Sequence, residues 1–142
     1  VSKEALRKKV LVVDDELDTL IFLSTLLKSS GFEPVIAENE LDGLQKAREL
    51  NPSCIILNAM MPQEGGISMY VNLKCDQQLK TVPVIMLSSV ASKVLFYMQQ
   101  MKGIPARDVP QPEALVEMPP EAEELLKLVH QLSQSKETPS EG

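Results

Sequence analysis

Short unbroken apolar runs alternate with longer stretches of helical periodicity along the whole chain. Val10-Leu11-Val12-Val13 and Cys54-Ile55-Ile56-Leu57 contain no polar alternation, as expected of parallel strands covered on both faces. Pro34 to Ala37, residues 82–89 (VPVIMLSS) and Ala114 to Glu117 supply three more strands. Leu17, Leu20, Ile21 and Leu27 recur at helical spacing after the first strand, and Gly31 is placed to cap that helix. Leu41 to Leu50 predicts a second helix with Leu41, Leu44 and Ala47 near one face, stopped by Asn51-Pro52. Gly65-Gly66 breaks the following loop, Ile67 to Gln78 reads as a third helix and Lys93 to Met101 as a fourth. Glu121 to Gln134 predicts the last helix. Leu125, Leu128, Val129 and Leu132 form its apolar stripe, and Glu121, Glu123 and Glu124 sit where the helix dipole favours anions.

Five β-α units with buried strands imply an α/β fold: a parallel sheet with right-handed crossovers and helices on both faces. At this size the expected form is the flavodoxin-like doubly wound sheet of five strands, order 2-1-3-4-5. The expected organisation is an N-terminal extension over 1–8, one domain over 9–134 and a disordered polar tail over 135–142. Val1, in place of an initiator methionine, suggests an excised or processed chain.

The formal charge of −6 argues against nucleic acid and against anionic membranes as partners. No apolar run is long enough to span a bilayer, and no signal-peptide core follows the basic start, so a cytoplasmic location is expected. Cys54 and Cys75 read as free thiols, and the lone His130 has no cluster around it that would suggest zinc.

Doubly wound sheets gather ligands at the carboxyl ends of their strands. There the first strand delivers Asp14, Asp15 and Glu16, the third delivers Asn58, the fourth Ser88 and the fifth Met118-Pro119-Pro120. An acidic pair at a strand end suits a hard cation such as Mg2+, which takes one or two carboxylates and keeps several waters. The runs from Val10 to Ala47, "NPSCIILNAMMPQEGG" and "VPVIMLSS" together resemble the receiver domain of bacterial two-component response regulators, the CheY-like fold, over about residues 9 to 134. The motif set includes the acidic pair, Met60-Met61-Pro62 with Gly66 four residues beyond, and Pro83 opening the fourth strand. The resemblance implies phosphotransfer from a histidine kinase to an aspartate at the end of the third strand. It assigns Asp14 and Asp15 to Mg2+ with the Met60 backbone carbonyl, and Ser88 to the switch hydroxyl. Asn58 then stands in the phosphoacceptor position, Met118 in that of the site lysine, and Leu115 where an aromatic switch residue is usual.

Those departures change the chemistry. Phosphotransfer needs a carboxylate nucleophile, and the neutral amide of Asn58 gives no stable acyl phosphate. Met118 removes the ammonium that would balance phosphoryl charge. The two changes leave the formal pocket charge at −2, the value of three acids and a lysine, so they read as a matched replacement of a buried ion pair. Mg2+ binding is then expected to be weak or absent. The expected function is that of a single-domain, non-enzymatic pseudo-receiver acting through protein contacts. The alternatives are an ordinary phosphorylatable receiver with an introduced Asp-to-Asn change and, more remotely, a Mg2+-dependent phosphohydrolase using Asp14.

The partner would be a histidine kinase, a downstream signalling protein or a second copy. It would bind through the face made by the fourth helix, fifth strand and last helix. Phe96, Tyr97, Met98 and Met101 are the candidate contact residues, and five of the ten prolines crowd the stretch from Met101 to Pro120.

Overall fold

A computed structural model describes residues 7–89 and 109–135. Within them β1 (Lys9–Val13), β2 (Glu33–Ala37), β3 (Cys54–Asn58), β4 (Val84–Ser88) and β5 (Ala114–Glu117) form one parallel sheet in the order β2-β1-β3-β4-β5. The order is the one anticipated. Helices α1 (Leu17–Ser29) and α4 (Ala122–Ser135) cover one face, while α2 (Glu40–Leu50) and α3 (Gly65–Cys75) cover the other. Each central strand divides its side chains between the two layers: Val10, Val12 and Ile56 face the α1/α4 side, and Leu11, Val13, Ile55 and Leu57 the α2/α3 side. Among the described residues no helix is long and apolar enough to cross a membrane. The predicted helix at Lys93–Met101, with its Phe96, Tyr97, Met98 and Met101 patch, lies outside the described residues.

Helix ends are closed by local caps, two of them, Gly31 and Asn51, where the sequence places a stop. Gly31 takes φ +91°, donates to the Lys28 carbonyl at 3.2 Å, and lets Phe32 donate to Leu27 at 3.0 Å, which together close α1. Asn39 caps α2 by accepting from the Asp42 N–H at 2.9 Å, and Asn51 ends that helix in a left-handed conformation. Helix α3 starts two residues before the expected Ile67, behind a short 3-10 turn at Pro62–Glu64. It stops at Cys75 rather than Gln78. The early stop has a local cause: the Asp76 carboxylate accepts from the N–H groups of Gln78 and Leu79, which favours a turn over another helical one.

Three expected core positions are corrected. Leu17 (65% exposed) and Ile21 lie outside the core, which takes Leu20, Leu23 and Leu27 of α1 instead. This helix carries two apolar stripes, and docking against the sheet selects the one spaced i, i+3, i+7. In α2, Leu41 is 80% exposed while Gly43, Leu44 and Ala47 face inward. The missing side chain at Gly43 makes room for Met69 of α3, whose Cε would lie 2.8 Å from a Cβ there.

Gly66 brings α3 against the end of β3. A Cβ at this position would fall on the Asn58 carbonyl oxygen and within 2.6 Å of the Ala59 backbone, neither of which is a movable side-chain tip. The glycine four residues beyond Pro62 therefore has a packing reason, and it fixes where Asn58 sits. Gly66→Ala is expected to cost about 3 kcal/mol of unfolding free energy by forcing these backbones apart. A urea-unfolding midpoint equal to that of the unmodified chain would show that the contact does not constrain the fold.

Candidate functional site

The carboxyl edge of the sheet is assembled from the ends of β1, β3 and β4. Asp14 follows β1 and donates its own N–H to the Ala37 carbonyl at 3.1 Å, which holds it between β1 and the end of β2. Its side chain is only 1% exposed, whereas Asp15 beside it is exposed. Asp14 Oδ1 accepts from the Glu16 N–H at 2.9 Å and from Asn58 Nδ2 at 3.1 Å. Its other oxygen, Oδ2, is buried with no hydrogen-bond partner.

The orientation of the Asn58 amide follows from its surroundings. Its Oδ1 accepts the Met60 N–H at 2.9 Å. A backbone N–H can only donate, so the atom facing it must be the oxygen, and the nitrogen is left to face Asp14. Asn58 thus turns hydrogens, not lone pairs, toward the acidic pair. An aspartate in the same place would set a carboxylate oxygen against Asp14 Oδ1.

The other sequence-predicted positions separate. Ser88 ends β4 fully buried, and its carbonyl accepts the Met118 N–H at 3.0 Å. Met118 precedes a cis bond to Pro119, and its side chain packs against the apolar layer of α1 and α4. Leu115 is half-buried and packs against the opposite layer, with α2 and α3. The structure therefore brings Asp14 and Asn58 into direct contact, whereas Met118 and Leu115 serve different apolar layers. Cys54 is free and buried, its thiol pushed up to about 12 first by burial and then by the charge on Glu113, while the free Cys75 is exposed.

One feature that the sequence reading passed over lies beside this pair. A cleft of about 480 Å3 is bounded by Asp15, Glu38, Glu40, Leu41, Met61 and Pro62, among others. Its residues come from three separate stretches of the chain, around Asp15, from Glu38 to Leu41 and from Met61 to Gly65. Glu40 Oε2 also accepts from Ser68 and Asn72, which ties α2 to α3 along one wall.

As a magnesium cradle the donor set is incomplete. Asp14 Oδ2 and the exposed Asp15 offer carboxylate oxygens, but Asp14 Oδ1 is committed to two donors and the Asn58 oxygen to Met60. Among the described residues no group of three His, Cys, Asp or Glu side chains gathers to hold a metal. Two carboxylates are within the one or two that Mg2+ takes from protein, but the Asn58 amide turns its nitrogen, not an oxygen, toward them.

Burial raises the Asp14 carboxyl above its ordinary value, and the nearby Asp15 charge adds to this; hydrogen bonds from Glu16 and Asn58 pull the other way. A raised folded-state value means that the ionised group costs stability. Its favourable contribution is complete below the unfolded value of about 3.9 and is lost as pH rises through the folded one. Asp14→Asn keeps an acceptor for Asn58 and Glu16 and replaces the orphan oxygen. Because it removes the titrating group, its stability relative to the unmodified chain is expected to rise between about pH 4 and neutral pH. Urea melts across that range check this, and a difference independent of pH would refute the assignment.

The model of one family, the response regulator receiver domain, matches residues 10–109. The polar-differentiation response regulator DivK of Brucella anthropi is 31% identical over 86 residues, which cover 61% of this chain and 70% of that protein. Among solved structures, a Francisella response regulator receiver domain superposes with TM-score 0.75 at 25% identity, covering 92% of this chain and all of its own. The receiver domain of a Pseudomonas aeruginosa sensor histidine kinase, which holds a magnesium ion in its active-site cleft, superposes with TM-score 0.73 at 16% identity. That match covers 90% of this chain and 98% of the other.

Proposed function

Because this chain belongs to the response regulator receiver domain family of two-component signalling, we propose that it signals by protein–protein contact without taking a phosphoryl group at Asn58. The observation that carries this reading is the double engagement of the Asn58 amide, nitrogen on Asp14 and oxygen on the Met60 N–H. The position where the family places its nucleophile here holds a neutral group whose one good acceptor atom is already used. Asn58 acts as a structural bridge between the ends of β1 and β3. On this reading the chain is not an enzyme, and Asp14 and Asp15 bind Mg2+ weakly. Its partner is a histidine kinase or another signalling protein.

Met118 supports the same reading from another direction. A lysine there would have to carry its ammonium out of the apolar layer that Met118 joins, and no third acid would be present to receive it. The packing speaks for a site in which positions 58 and 118 changed together, rather than one altered at Asn58 alone. Asp14, Ser88 and the glycine-dependent approach of α3 still support the fold, as their burial indicates.

Incubation with acetyl phosphate and Mg2+, followed by intact-mass measurement, is expected to give no added phosphoryl mass; a stoichiometric adduct on this chain would overturn the reading. Unfolding of three variants provides an independent check. Met118→Lys and Asn58→Asp are each expected to cost about 1–2 kcal/mol, through a charge placed in an apolar layer and a carboxylate placed against Asp14. The double variant should recover at least about 1 kcal/mol of the sum, since the two new charges can pair. Strict additivity would mean that the two positions are independent.

A further inference from the structure

The cleft beside the Asp14–Asn58 pair combines two kinds of wall. Asp15, Glu38 and Glu40 supply carboxylates, while Leu41, Met61 and Pro62 supply apolar surface, and among the described residues none that lines it is basic. The nearest cation along α2, Lys46, is already engaged by Asp42 at 3.2 Å and by the Ile36 carbonyl at 2.6 Å. Leu41 stands exposed in the first turn of α2, and Met60, beside the cleft in sequence, is 38% exposed. Asp14, which does not line the cleft, lies buried next to Asp15 with its Oδ2 unpartnered among the described residues.

These features restrict the occupant. Nucleic acid and anionic lipid present phosphates, which the three carboxylates repel. A bare divalent ion would use the oxygens and leave Leu41, Met61 and Pro62 without a role. An apolar peptide would cover those three and leave the carboxylates desolvated and unpaired, which is costly. A lysine or arginine side chain flanked by apolar residues answers both walls: its methylene stem lies on the apolar surface and its charged head meets the acids.

We propose that this cleft, between the β2–α2 and β3–α3 loops, docks a partner-protein segment carrying a lysine or arginine flanked by apolar residues. The proposal rests on the reading of the chain as a protein-contact module, and it names the surface and chemistry of that contact. The cationic head lies between Asp15 and Glu38, and the flanking side chains cover Leu41 and Pro62. Acidic residues along the cleft raise the association rate of basic segments, an effect that weakens with salt.

A phage-displayed random peptide library selected against the intact chain provides the test. Enriched peptides are expected to share a Lys or Arg with apolar neighbours, and their affinity is expected to fall about tenfold in Glu38→Gln and in Leu41→Ser. Both positions are on the surface, so circular dichroism and melting temperature of these variants should match the unmodified chain. Enrichment of peptides without a basic residue, failure to enrich any peptide, or basic peptides that bind the variants equally well would each overturn the proposal. Displacement of the peptides by MgCl2, but not by KCl of the same ionic strength, would assign the cleft to a divalent ion and overturn it too. The selection uses no phosphodonor, so its failure is distinct from the appearance of a phosphoryl adduct at Asn58.

Discussion

Burial of β1, β3 and β4 on both faces is the constraint from which the rest of this structure follows. Strands covered by helices above and below must be apolar throughout, and parallel strands need helical crossovers to connect them. Every strand then ends at the same edge, and polar side chains that cannot enter the sheet collect there. Asp14, Asn58 and Ser88 are each the first polar side chain at the end of such a run. Their meeting is a consequence of topology, and the register that sets Asn58 beside Leu87 and one residue past the Val13–Leu57 pair brings β1 and β3 to a common end.

Within that edge, one amide sets the character of the site. A carboxylate at position 58 would face Asp14 and require a cation between them. An amide supplies its own hydrogen-bond donor and needs none at that oxygen. An amide at this position is thus self-contained where a carboxylate would depend on a ligand. The remaining imbalance falls on Asp14 Oδ2, the single Asp14 oxygen without a partner.

The amino edge is held by a different device. Lys74 of α3 is buried, and its ammonium reaches the carbonyls of Lys80 at 3.3 Å and Val82 at 3.1 Å and the Glu113 carboxylate at 3.5 Å. Burial lowers its basicity, an effect that Glu113 opposes. Glu113 also accepts from the Val84 N–H at 2.8 Å, and the buried Tyr70 donates its hydroxyl to the Pro110 carbonyl at 2.6 Å. Together these contacts fix where the chain re-enters the sheet ahead of β5. The start of that strand is therefore anchored by α3.

The sequence by itself determined the strands, their order and the identity of the edge residues, because apolar runs and helical stripes are local patterns that burial reads directly. Gly31 and Asn51 announced helix ends for the same reason: a cap is decided by a few neighbouring residues. Asn58 could be singled out from its position after Leu57 alone. Only the tertiary structure decided which of two stripes on α1 faces the sheet, that Leu41 turns outward and that Gly43 yields its space to Met69. It also decided that the Asn58 nitrogen, rather than its oxygen, meets Asp14, since that choice depends on the Met60 N–H across the turn. The cleft lined by Asp15, Glu38, Glu40 and Leu41 was not legible in advance, because its walls come from loops whose separation is set by how the helices pack. Local patterns fix what each segment becomes, and packing fixes which of its faces are left to meet a partner.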